Sequence, residues 1–217
     1  MPLQNRVDPF GDIKATPSRG LFTGNRGVIH DPQTKTLLKR RWTTKAWIVC
    51  DLVNPRGTTR DVFGRNAPSG RAGWTELFFL DEVTALAAGH RPCFYCRREE
   101  SKRYATAFAD AFALPAPKVT EIDARLHAER LATGAAPRQM SEPEVRSLPD
   151  GAMVAVGGKP FAIRSGKLLP WSFQGYRGTP SNCRSLPAPA FLVTPATTVA
   201  VLKAGYRPAW HPSVARS

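Results

Sequence analysis

Residues 78–96, FFLDEVTALAAGHRPCFYC, constrain the fold more than any other stretch of the chain. Phe78, Phe79 and Leu80 read as the end of a short apolar strand. Asp81 stands where its carboxylate can cap a compact helix over Glu82–Ala88, by accepting from the free N–H groups of the first turn. Gly89 suits the left-handed position that closes a helix, and His90-Arg91-Pro92 then leads the chain away. The stretch ends on Cys93-Phe94-Tyr95-Cys96. Two thiols at that spacing serve either one metal ion or redox chemistry. A thioredoxin-type redox pair opens a helix after a strand. This pair follows a helix end, which favours metal.

The remaining composition narrows the class. The chain has 217 residues and four cysteines, Cys50, Cys93, Cys96 and Cys183, too few for a disulfide-stapled secreted scaffold. No run approaches the roughly 18 apolar residues that cross a bilayer, and the N-terminus carries no apolar signal core, so a cytoplasmic protein without a membrane partner is expected. Charge is uneven. Residues 1–75 hold 13 Lys/Arg against 5 Asp/Glu, residues 76–150 hold 10 against 12, and residues 151–217 hold 8 against none. A third of the chain without one carboxylate is hard to explain as ordinary surface. With a net charge of +14 it points to a nucleic-acid partner bound through phosphate.

Residues 1–27 read as an extended arm, because Pro2, Pro9, Pro17 and four glycines break any period. Residues 28–63 read as β-rich, and 64–73 as a loop. A strand runs from Trp74 to Leu80, and a helix follows Cys96 to about Leu114. In that helix Tyr104, Phe108 and Phe112 form an i, i+4, i+8 core stripe. Thr120 opens another helix with a Thr-x-x-Asp pattern, and Ser141 opens a short one. From Asp150 the texture changes to short strands with Gly and Pro turns. A last helix over TPATTVAVLKAG is capped by Thr194 and ended by Gly205. LAAGHRP at 86–92 and LKAGYRP at 202–208 form a faint internal echo. The second copy has no cysteines and gets no metal.

The stretch 78–96 resembles the second half of the metal-binding domain of Ada, the methylphosphotriester-repair module of the bacterial adaptive response regulator. The shared pattern is Phe78, Phe79, Ala87, Ala88, Gly89, Arg91, Pro92, Cys93 and Cys96, without a gap. In that family four cysteines hold zinc, and the first also takes a methyl group from the DNA backbone. The resemblance therefore implies that Cys93 and Cys96 bind one zinc ion and that Arg91 lies near a DNA-facing side. Upstream, Thr43-Thr44 precede Cys50 with two residues more than the family has, and Asn54 stands where the family's next cysteine falls. Cys50 is thus either a third ligand and methyl acceptor or a buried strand cysteine.

Other residues carry open alternatives. His90 is either a ligand or a partner for the last helix carbonyls. Asp123 and His127, spaced i, i+4, are either an acid–base or metal pair, with the hydrolytic role of a nuclease as the rival function, or an ordinary helix-surface pair. Lys39, Arg40, Arg41 and Trp42 suit phosphate contact and base stacking, or else a solvated strand edge. Arg97 and Arg98 adjoin the thiols and belong to the same basic set. The expected architecture is α+β: a metal-binding unit with its arm over 1–114, a helical segment over 115–149 and a basic β-rich part over 150–217, packed as one body. The expected function is a zinc-supported nucleic-acid-binding protein of DNA repair or its control. An RNA-associated structural protein is the third reading, and the oligomeric state is open.

Overall fold

The computed structural model describes residues 2–57, 73–131, 138–183, 186 and 189–216. They form an α+β molecule built on two sheets. The first is six-stranded in the order β2-β1-β5-β3-β4-β6. Its strands are β1 (Gln4–Val7), β2 (Ile13–Ala15), β3 (Phe22–Asn25), β4 (Ile48–Asp51), β5 (Leu77–Phe79) and β6 (Arg91–Pro92). The pairs β1–β5 and β4–β6 are parallel and the others antiparallel.

Residues 2–27 are therefore not an arm. They supply three strands of the first sheet. Val7 and Ile13 are buried in its core, and the Asn5 side chain donates to the Glu76 carbonyl. Pro2, Pro9 and Pro17 fall outside those strands, where a missing N–H costs no ladder bond. Residues 28–47 hold less β structure than their composition suggests, only an isolated His30–Leu37 bridge before β4. Thr43 explains part of this, since its hydroxyl accepts from the Val28 N–H in place of a neighbouring strand. The loop expected at 64–73 lies outside the described residues except for Gly73.

The helices stand where their signals place them, though two of them begin differently. α1 (Glu82–Ala87) is capped by Asp81, whose Oδ1 accepts from the Thr84 N–H at 2.9 Å. α2 (Arg98–Phe112) buries Tyr104 and Phe108 on one face. α3 (Val119–Leu131) starts differently from the Thr-x-x-Asp expectation. Glu121 takes the Lys118 N–H, while Asp123 turns elsewhere. α4 (Glu142–Arg146) begins at Ser141, whose N–H and hydroxyl both meet the Glu144 carboxylate. α5 (Ala196–Lys203) is not capped by Thr194, whose hydroxyl instead accepts from the Met153 N–H. The Glu129 carboxylate of α3 reaches across to the Thr197 N–H. No helix among the described residues is long and apolar enough to cross a membrane.

The second sheet runs β11-β10-β9-β8-β13-β7, with β12 beside β10, and is antiparallel throughout. Its strands are β7 (Gln139–Met140), β8 (Met153–Val156), β9 (Lys159–Arg164), β10 (Lys167–Ser172), β11 (Gly175–Tyr176), β12 (Ser181–Asn182) and β13 (Ala190–Leu192). The apolar clusters cross the boundaries at 114 and 149. Leu86, Tyr104, Ile122, Val154 and Leu202 share one core. Leu80 and Val83 share another with Met153 and Leu169. Polar ties reinforce the junction. Buried Asp81 accepts from the Tyr176 hydroxyl and the His211 N–H through its Oδ2, and Trp171 Nε1–H donates to Thr84.

The internal echo is structural as well as textual. Both helices end on a glycine at positive φ, Gly89 at 81° and Gly205 at 109°. The next N–H reaches back five residues in each, His90 to Ala85 and Tyr206 to Val201. Glycine is favoured because a side chain there would strain the backbone.

Candidate functional site

The parallel pairing of β4 with β6 sets the centre. Ile48 lies opposite Arg91 and Val49 opposite Pro92, so Cys50 within β4 comes beside Cys93, which follows β6. The Cys93 N–H donates to the Val49 carbonyl, and the Arg97 N–H turns back onto the Cys93 carbonyl. That turn brings Cys96 under the same point, so the sulfurs of Cys50, Cys93 and Cys96 all lie within 4.8 Å of one another. No disulfide joins them. With metal–sulfur bonds near 2.3 Å, a tetrahedral edge is about 3.8 Å, so three sulfurs this close together can share one ion. The donor set therefore fits a thiophilic cation. Among the described residues no fourth Cys, His, Asp or Glu joins the group.

The three thiols act on one another. Hydrogen bonds from Cys50 and then Cys96 draw the Cys93 thiol far below its ordinary range, while the same contacts push buried Cys50 well above it. A metal cation bound at such a cluster displaces the thiol protons. Cys50 is 2% and Cys93 7% exposed, whereas Cys96 is partly open.

Arg97 fastens this knuckle to the rest of the molecule. It is 5% exposed and pairs with Glu82 at 2.7 Å and with Asp51 at 3.3 Å. Glu82 in turn accepts from the Tyr206 hydroxyl and the Ala209 N–H, which follow the second helix of the echo. Arg91 is also buried. Its Nε and Nη2 donate to the two oxygens of Asp123 at 2.7 and 2.8 Å. Both guanidinium groups are thus engaged inside the protein, while Arg98 stays exposed and lies over the Phe94 ring.

His90 lies outside the sulfur group. It is fully buried against Trp47 and Phe79, and its Nε2 accepts from Arg26 Nε at 3.3 Å. Burial, followed by Arg26 and Arg130, holds its pKa well below the ordinary value, against the carbonyls of Ala85 and Ala88. Asp123 and His127 do share α3, but the Asp123 carboxylate is committed to Arg91. His127 meets Trp42 edge-on at 4.5 Å between ring centres. Lys39, Arg40, Arg41 and Trp42 are all exposed. Cys183 is buried in the largest apolar cluster.

Two features were not singled out from the sequence. Phe94 and Tyr95, the two residues inside the Cys-x-x-Cys, are 48% and 58% exposed, and Leu52 and Val53 project beside β4 at 37% and 51%. The spacing itself was the available signal: a knuckle directs its sulfurs inward and its intervening side chains outward. The other is an arginine–tryptophan cleft. The guanidinium groups of Arg26 and Arg130 lie 4.0 and 4.3 Å from the Trp47 ring centre. No local pattern announces it, since its parts come from distant segments. Comparison of the chain with protein-family models, with curated proteins and with solved structures gives no match.

Proposed function

We propose that the chain is a nucleic-acid-binding protein whose recognition knuckle is held by one zinc ion on Cys50, Cys93 and Cys96. The observation that carries this reading is the three-sulfur cluster beneath an exposed Phe94–Tyr95 pair. When bound, zinc keeps the sulfurs anionic and crosslinks β4 to the turn before α2. Phe94 and Tyr95 then stand on a fixed support, where rings can stack on unpaired bases. Arg98 beside them, and Lys39, Arg40 and Arg41 on the loop before β4, supply phosphate contacts. The resemblance to the metal-binding domain of Ada agrees with a DNA partner and a place in repair or its control.

Binding fits this arrangement better than alkyl acceptance at Cys50. At 2% exposure that sulfur is out of reach of a substrate carbon without movement of its cover. The nuclease reading loses its acid–base pair, because Asp123 is spent on Arg91.

Fluorescence anisotropy with labelled single- and double-stranded DNA and single-stranded RNA tests the proposal. Single-stranded DNA should bind saturably, and Phe94→Ala with Tyr95→Ala should weaken it by about 10- to 100-fold, the loss of one or two stacking contacts. Undiminished binding by the double variant would refute the knuckle as the recognition surface.

A further inference from the structure

The cleft beside Trp47 has no part in the thiol centre, yet it is built to hold charge. It encloses about 420 Å³ and is walled by Arg26, Arg41, Arg130, Trp42, Trp47 and Phe10, among others. Arg26 is its innermost cation and is only 2% exposed. Its Nη1 donates to the Gly11 carbonyl and its Nε to His90. Its Nη2 has no hydrogen-bond partner, and no carboxylate forms a salt bridge with Arg26 among the described residues. A buried guanidinium without an anion is costly to keep.

The second guanidinium sharpens the point. Arg130 flanks the same indole, its Nε and Nη2 donating to the Gly89 carbonyl and its Nη1 to that of Lys45. Burial, then repulsion from Arg130, brings Arg26 down to about 9. Two cations held close around one ring are a standing attraction for an oxyanion. For Arg26 the nearby carboxylates are engaged elsewhere, Asp8 accepting from the Asp12 N–H. Glu129 caps α5, and Asp12 pairs with Lys14.

The volume exceeds what a phosphate alone needs and lies in the range of small-molecule sites. Beyond the arginines the wall holds three aromatic side chains, Phe10, Trp42 and Trp47, among small and aliphatic residues, with Asp12 and Glu129 at its edge. Trp42 and Phe10 stand at the mouth, 38% and 49% exposed. We propose that this cleft binds a nucleotide unit, its phosphate on Arg26 and Arg130 and its base against the aromatic mouth. The proposal goes beyond the thiol centre and needs no metal. It rests on the nucleic-acid reading only for one source of the phosphate; a free nucleotide is the other.

The test is titration of the full chain with AMP, adenosine and inorganic phosphate, followed by tryptophan fluorescence. AMP should bind saturably and at least tenfold more tightly than adenosine or phosphate. Trp42→Ala should weaken AMP by about tenfold and leave phosphate unchanged, as expected for one lost stacking contact. Arg26→Met, if it keeps the wild-type circular dichroism, should lose phosphate and AMP alike. If it does not fold, the ligand comparison and Trp42→Ala decide. A single-stranded oligonucleotide that competes with AMP identifies polynucleotide as the source; one that does not leaves the free nucleotide. Equal binding of AMP and adenosine, or no saturable AMP signal to about 10 mM, would overturn the proposal. Knuckle variants read the other surface, so failure of either reading is separable.

Discussion

At the scale of single residues, buried charges do most to define the molecule. Arg91 and Asp123 form a two-point pair with side chains 7% and 9% exposed. Removing one partner strands the other, so Asp123→Ala should cost about 3–5 kcal/mol in denaturant unfolding. Arg91→Met with Asp123→Leu should cost much less, and an equal cost for single and double variants would contradict this role. His90 makes a second prediction. Its folded pKa lies well below the unfolded value of 6.5, chiefly through burial. Its contribution is therefore fully present above pH 6.5 and is lost as pH falls toward the folded pKa, by at most about 1.4 kcal/mol per pH unit. His90→Gln should flatten that part of the stability–pH profile relative to wild type. The same residues show the limits of local spacing. The i, i+4 relation of Asp123 and His127 was plain, but not that Arg91, 32 positions earlier, would claim the carboxylate.

At the scale of elements, the signals that are local in sequence proved legible. Asp81, Gly89 and Gly205 mark helix ends, and the Tyr104–Phe108 stripe marks a core face. Elements that depend on distant pairing were not. β1 is a strand because β2 and β5 flank it, and nothing within residues 4–7 announces β5 seventy positions later. Cys93 and Cys96 were legible from spacing, whereas the place of Cys50 depends on the β4–β6 register. The paired helix ends give a direct comparison. At Gly205 an added Cβ meets nothing within 4 Å, so Gly205→Ala should cost only the left-handed backbone strain, about 1–2 kcal/mol. At Gly89 the same Cβ comes within 3.1 Å of Arg130 Nε. Gly89→Ala should cost more, and the order of the two in chemical denaturation checks the account of these turns.

At the scale of the whole molecule, charge and architecture converge. The last third carries no carboxylate, and Lys159, Lys167, Arg177, Lys203 and Arg207 in it are all exposed. If affinity for nucleic acid comes largely from phosphate, log K should fall linearly with log salt, by roughly 0.7 per phosphate neutralised on a single strand. The centre that would support such binding rests on three sulfurs brought together by two parallel strands and one turn. Elemental analysis of the purified chain, with each candidate ligand replaced in turn, tests that claim most directly. One zinc per chain is expected, lost in Cys50→Ser, Cys93→Ser and Cys96→Ser but kept in His90→Gln, His127→Ala and Cys183→Ala. A chain without zinc, or one whose zinc survives Cys50→Ser, would contradict it.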